Sequence, residues 1–275
     1  MKKIIILFCF YNRKEKTLRC LETIHSQKID ASQYTVEIIA VDDASNDGTK
    51  ESIAKLYPDV RVITTKGNYY WSKSMNLAMM EAQKCEYDYL LMINDDVSFY
   101  DDMLTVMLTP FLQAKENCGV VGTTVDGSGK KLSYGGRKDE SDGVICPDGR
   151  LQSCVLANWN CFMISHQVLE KVGIIDGKYR HACGDYDYSY RMKRSGISIY
   201  VAPEIVGICD NNPRSNTYED RSLSRLQRIK KMHGPKGFCL GSMLRYDYRN
   251  KGMKVAWKTF VRYVKTLIKI IVLND

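Results

Sequence analysis

Through the first half of the chain, short runs of mostly apolar, β-branched and aromatic residues alternate with segments whose apolar positions return at helical spacing. The runs are Ile4–Phe10, Val36–Val41, Val60–Thr64, Tyr89–Ile93 and Val120–Val125, with a sixth at Ile197–Val201. A strand wetted on one face alternates apolar and polar residues, whereas a run that is apolar throughout needs cover on both faces. Covered strands separated by amphipathic segments predict an α/β fold with a mostly parallel sheet flanked by helices. In open sheets of that kind, ligands bind beyond the carboxyl ends of the strands.

Polar clusters stand at three such ends: Tyr11-Asn12-Arg13 after the first run, Asp42-Asp43-Ala44-Ser45-Asn46-Asp47-Gly48 after the second, and Asn94-Asp95-Asp96 after the fourth. A parallel sheet brings them to one crevice. The stretch from Gly127 to Leu151, rich in Gly, Asp, Lys and Ser, reads as a long excursion or flexible loop over that crevice.

A length of 275 residues, 44% hydrophobic and 26% charged, suits one sizeable domain with a tail and excludes a disordered chain. Met1-Lys2-Lys3 before an apolar run imitates a signal peptide, but no small-residue cleavage site follows, so the run reads as a buried strand. Ten scattered cysteines without a C-x-x-C pair read as reduced thiols, which with no export signal gives a cytoplasmic expectation. The net charge of +8 lies mostly after residue 190, apart from the carboxylate clusters.

Carboxylates where an apolar strand emerges suit Mg²⁺ or Mn²⁺, which take oxygen ligands and share coordination with phosphate; the plain alternative for Asn94-Asp95-Asp96 is a turn. Asp42 and Asp43 offer acceptors for a base N–H or ribose hydroxyls, while Asp47 or Thr49 suits capping of the next helix. His181-Ala182-Cys183-Gly184-Asp185-Tyr186-Asp187 leads into a helix ending near Gly196. Asp185 at that entrance is placed to take a proton from a hydroxyl, and Asp187 to pair with Arg191 at i,i+4.

Taken in order, these clusters resemble family 2 glycosyltransferases of the GT-A fold, a Rossmann-like architecture, from about Ile4 to Pro203. Phe10-Tyr11-Asn12-Arg13 resembles the family's opening strand and helix, and Val41 to Thr49 its nucleotide-binding signature. The resemblance makes Asn94-Asp95-Asp96 the D-x-D metal motif, with Asp96 the metal ligand and Asn94 in place of the first Asp. It makes Gly184-Asp185-Tyr186-Asp187 the E-D-x-D segment, with Asp185 the catalytic base and Gly184 in place of Glu. Asn158 to Ile164 resembles the strand before that base, with Asn158, Trp159 and Asp187 on the acceptor side. Gly67 to Asn76 resembles the donor-side loop and helix of members acting on bacterial surface polysaccharides, some of them rhamnosyltransferases. The donor set implied is Tyr11, Asn12, Arg13, Asp42, Asp43, Asn68, Trp71, Asn76 and Asp95. Trp71 as a core or interface anchor is the alternative.

In the tail, Lys254, Lys258, Arg262, Lys265 and Lys269 recur at helical steps and leave Trp257, Phe260, Val261, Val264, Leu267, Ile268 and Ile271 on another face. Such a basic amphipathic helix over 254–272 does not span a bilayer. It suits the headgroup region of an anionic membrane, or packing against the catalytic domain or a second subunit, including a homo-oligomer. A wide apolar face in place of a polar groove argues against nucleic acid. His233 is placed either near the diphosphate and metal or as a packed surface imidazole.

The expectation is thus a GT-A domain over 1–207 and a basic helical extension over 208–275. It would act as an inverting, metal-dependent glycosyltransferase at the inner face of the plasma membrane or in solution. A UDP- or dTDP-sugar would be the donor and a saccharide or lipid-linked saccharide the acceptor. Nucleotidyl transfer lacks support, because no Gly-rich phosphate loop follows the first strand. A binding or assembly subunit without catalysis is the rival that Asn94 and Gly184 raise.

Overall fold

The run Lys2–Phe10 forms β1, and its centre, Ile4 to Phe8, is fully buried. Its alternate residues serve two cores: Ile4, Ile6, Phe8 and Phe10 enter one cluster, Ile5 and Leu7 the other. A strand feeding two apolar layers belongs in the middle of a three-layer fold, as the sequence requires. The computed structural model describes residues 1–114, 117–211, 215–234 and 237–273.

After β1 the chain runs through α1 (Lys14–His25), β2 (Tyr34–Asp42), α2 (Thr49–Leu56), β3 (Arg61–Thr64), α3 (Tyr70–Ala82), β4 (Tyr89–Ile93), β5 (Ser98–Phe99), α4 (Met103–Ala114) and β6 (Gly119–Val125). An excursion then carries β7 (Gly136–Arg137), β8 (Gln152–Cys154) and β9 (Leu156–Ala157) before β10 (Cys161–Ser165), α5 (His166–Val172), α6 (Gly184–Arg194) and β11 (Ile199–Ile208). The tail adds α7 (Arg225–Met232), α8 (Leu240–Lys251) and α9 (Met253–Ile268), closing in a π-helical turn at Lys269–Leu273.

The main sheet has the order β3-β2-β1-β4-β10-β6-β11-β5, with β8 also paired to β11. Strands β1, β2, β3, β4, β6 and β11 share one direction, so the α/β expectation holds. Register then brings the polar clusters together: Phe10 pairs with Asp42, Asp42 with Thr64, and Leu7 with Met92. Antiparallel β10 pairs Cys161 with Ile93 and so starts where β4 ends, delivering Asn158 and Asn160 to the same edge.

Two expectations needed adjustment. The last strand continues to Ile208 because a register shift between Val201 and Ile205 absorbs Pro203, which lacks an N–H for the ladder. The two- and three-residue strands β5, β7, β8 and β9 are too short to leave a periodic signal. The ten cysteines stand as separate thiols in this structure. Met232, Phe238 and Ile270 form a small separate core among the tail helices.

Candidate functional site

At the mouth of β4, one guanidinium nitrogen of Arg13 bridges two carboxylates, lying 3.2 Å from Asp95 Oδ1 and 2.9 Å from Asp96 Oδ2. Asp95 is buried, and Thr17, one turn along α1 from Arg13, donates to its Oδ2 at 3.0 Å. Burial pushes the Asp95 carboxyl up to about 6 against the pull of Arg13. Cys209 Sγ lies 3.8 Å from Asp96 Oδ1 as a protonated donor, because burial raises that thiol to about 12. Asn94 turns its side-chain oxygen to the Trp71 indole N–H at 2.8 Å. Asp95, expected on the donor side, is thereby an internal brace, and the ligating oxygen of Asn94 already has a partner.

The neighbouring loops are held by carboxylates accepting backbone amides. Asp43 takes the N–H of Tyr69 (3.0 Å) and Tyr70 (2.9 Å) and the Thr65 hydroxyl (2.7 Å), capping the start of α3 from another loop. Asp42 takes the Ser45 amide at 2.8 Å. Asp47 accepts from Thr49 at the start of α2 and from Lys14 N at the start of α1, the capping role expected of it. A carboxylate has about four lone-pair sites, so only those left over on Asp42 and Asp43 can meet a nucleotide.

Asn12 accepts from Asn46 N at 2.8 Å and so ties the end of β1 to the β2–α2 loop, while Tyr11 stands exposed beside it. Asn76 donates to Ile175 O at 2.5 Å, bracing the approach to α6. Asn68 accepts from the Tyr70 hydroxyl at 3.3 Å, and Arg180 donates to the same hydroxyl at 3.0 Å. Asn12, Ala44, Asn68, Tyr70 and Cys183 all have left-handed φ and all lie around this crevice. For a residue as bulky as Tyr70, that conformation persists only where surrounding bonds impose it.

Asp185 occupies the first turn of α6, partly exposed to the crevice. Asn158 Nδ2 lies 3.4 Å from its Oδ2, and Tyr186 N donates to its Oδ1 at 2.9 Å. Desolvation outweighs these amides and raises the carboxyl to about 6. Gly184 is a packing requirement: a Cβ there would stand 2.8 Å from Ser72 Oγ and 3.0 Å from Ile175 Cδ1. Any larger residue at this position requires Ser72 or Ile175 to shift.

Three expected site residues have other surroundings. Trp159 is 1% exposed and packs among Trp71, Phe162 and Tyr188, so its side chain is core. Asp187 is fully buried, accepting from Tyr179 (2.9 Å) and Asn250 (3.0 Å) and facing Arg191 and Arg249 at 3.4 Å each. Its pairing with Arg191 is as expected, and acceptor contact is closed to it. His233 bonds Ile229 O and the Tyr263 hydroxyl within the tail.

Sequence reasoning missed Thr17, Cys209 and the tail contacts of α8. The Arg13–Thr17 spacing of one helical turn was the available signal for Thr17. Nothing local marks Cys209, or Tyr246 and Lys251, which both hold Glu140 of the excursion.

The family model for Glycosyl transferase family 2 matches residues 5–173, more than half of the chain, and the chain belongs to that family. The match ends before Asp185. Among solved structures, the chain resembles the mannosyltransferase PcManGT from Pyrobaculum calidifontis in complex with GDP-Man and Mn2+. The TM-score is 0.60 at 13% identity, over 98% of this chain and 70% of that one. It is also similar to S. aureus TarS 1-349 in complex with UDP, with a TM-score of 0.58 at 12% identity over 99% and 81%. GalNAc-T7 with UDP, GalNAc and Mn2+ gives 0.63 at 13% identity over 99% and 52%. These likenesses establish the GT-A-type fold. A comparison with curated protein sequences returns no match.

Among the described residues, no three His, Cys, Asp or Glu side chains form a ready cage for a metal ion. The donor set fits a different arrangement. Divalent ions of the Mg²⁺ type are often held by one or two carboxylates together with substrate phosphates, and Asp96 offers such a carboxylate at the crevice.

Proposed function

We propose that the chain transfers a sugar from a UDP- or dTDP-sugar to a hydroxyl of a saccharide or lipid-linked saccharide, with inversion, in the synthesis of a bacterial surface polysaccharide. The observation that supports this reading is Asp185: a partly exposed carboxylate in the first turn of α6, within reach of Asn158, which precedes the strand that pairs with the end of β4 where Arg13, Asp95 and Asp96 cluster.

Asp185 accepts the proton of the acceptor hydroxyl as that oxygen attacks the anomeric carbon. One displacement requires one base and inverts the centre. Asn158 holds the carboxylate in place and is positioned to meet the acceptor. Arg13, Asn12, the loop carrying Asn68, and Trp71 in the first turn of α3 form the wall on which the nucleotide lies. Mn²⁺ or Mg²⁺ held by Asp96 would supply a positive charge to the departing nucleoside diphosphate.

The test compares Asp185→Asn with the native chain on a panel of UDP- and dTDP-sugars with Mn²⁺. The expected result is loss of transfer with the donor-dependent rise in melting temperature retained. Near-normal transfer by a folded variant would remove Asp185 from the mechanism. Donor-free behaviour of the native chain across the panel would favour the assembly-subunit reading.

A further inference from the structure

Packing within the chain covers only part of the apolar surface of α9. One series at steps of three and four, Ala256, Thr259, Tyr263 and Leu267, turns inward: the first two are buried, and the others pack against the core of Met232, Phe238 and Ile270. A second series with the same spacing, Met253, Trp257, Phe260, Val264 and Ile268, is apolar at every position but faces outward. Met253 is 68% exposed and Trp257 65%. A third series, Lys254, Lys258, Arg262 and Lys265, flanks the second on the side away from the packed seam, and α9 contains no acidic residue.

The outward stripe continues onto α8. Leu244 and Tyr248 join Met253, Trp257 and Phe260 around a shallow groove of about 410 Å³. The Trp257 and Phe260 rings lie side by side, with centroids 5.5 Å apart. Contiguous exposed apolar side chains rimmed by polar ones mark a contact surface.

We propose that this face docks on the headgroup region of an anionic phospholipid bilayer, with α9 lying in the plane of the surface. Charge complementarity selects the partner. A row of cations beside an apolar stripe matches acidic headgroups over acyl chains, and paired aromatic rings favour that boundary. A second copy of a chain carrying +8 would set its own cation row against this one. Among the described residues no helix is long and apolar enough to cross a membrane. The opposite side of α8 holds α6 through Asn250 and Asp187, so docking fixes the crevice relative to the bilayer. The surface is independent of the reaction proposed above, and its test uses no transfer assay.

Flotation of the whole chain with vesicles of pure phosphatidylcholine, and of phosphatidylcholine mixed with phosphatidylglycerol, reads the contact. Binding is expected only with the anionic vesicles, weakening as salt rises. Tryptophan emission should shift to the blue on binding and report Trp257, because Trp159 is buried and Trp71 is bonded to Asn94. Trp257→Ser with Phe260→Ser, and separately Lys254→Glu with Lys258→Glu, should each lower partitioning by about tenfold or more with unchanged thermal unfolding. Absence of flotation at low salt, or undiminished flotation of both variants, would overturn the proposal. So would light scattering showing a dimer that the Trp257/Phe260 variant dissociates, which would give the face to a second copy.

Discussion

Arg13 Nη1 stands between Asp95 Oδ1 and Asp96 Oδ2, so one cation of the chain itself is shared by the two carboxylates at the mouth of β4. Removing it leaves a buried Asp95 without a counter-charge and frees Asp96. For Arg13→Ala, the expected cost in unfolding free energy is about 1–3 kcal/mol, below that of a fully buried pair because the guanidinium is partly solvated. The same variant should gain a larger Mn²⁺-dependent rise in melting temperature than the native chain. An unchanged rise would mean that guanidinium and metal do not share Asp96.

The proposed role of Asp185 predicts a pH dependence of transfer. The base works only when deprotonated, and burial raises its carboxyl to about 6. Activity should therefore fall as pH drops through about 6, well above the ordinary carboxylate range, and be full on the alkaline side. Initial rates at saturating donor across a pH series measure this limb. A limb at ordinary carboxylate values would separate the titrating group from Asp185.

Asp185→Asn itself should lower kcat by about 100- to 10,000-fold, the usual contribution of a general base, with donor KM little changed. A large rise in donor KM with kcat preserved would place this residue in binding instead.

The contact between Gly184 and Ser72 makes a paired prediction. Gly184→Ala forces a Cβ to 2.8 Å from a buried hydroxyl that has no hydrogen-bond partner among the described residues, which should cost about 1–3 kcal/mol. Ser72→Ala removes that hydroxyl, and the double variant should recover most of the loss. Equal instability of single and double variants in urea unfolding would show that Ile175 is the obstacle.

Asp187→Ala should be among the most destabilising single changes, about 3 kcal/mol, because it removes the carboxylate facing Arg191, takes one of the two carboxylates facing Arg249 and unties Asn250. Thermal unfolding of the purified variant gives the answer, and a shift within the range of surface substitutions would contradict it.

Much of the fold was legible because the buried stretches of β1, β2, β4 and β6 are mostly apolar, with Asp42, Thr123 and Thr124 the exceptions, and burial on two faces calls for a sheet covered by helices. The convergence of Arg13, Asp43 and Asp95 followed from strand ends alone. Roles were harder to read than positions. Asp42, Asp43 and Asp187 have the composition of ligands, yet backbone amides, arginines and Asn250 take up much of their capacity, and those partners come from distant segments. Trp159 and Asp185 illustrate the same limit: their pattern places both near β10 and α6, but only packing shows which of them faces the crevice.

Helix α8 touches two distant parts of the chain at once. Tyr246 and Lys251 hold Glu140 of the excursion, while Arg249 and Asn250 hold Asp187 on the helix that carries Asp185. Anyone redesigning this enzyme for a new acceptor would therefore find that the excursion cannot be exchanged as a cassette. A transplanted loop would arrive without its clasp unless α8 were rewritten with it, across more than a hundred residues of intervening chain.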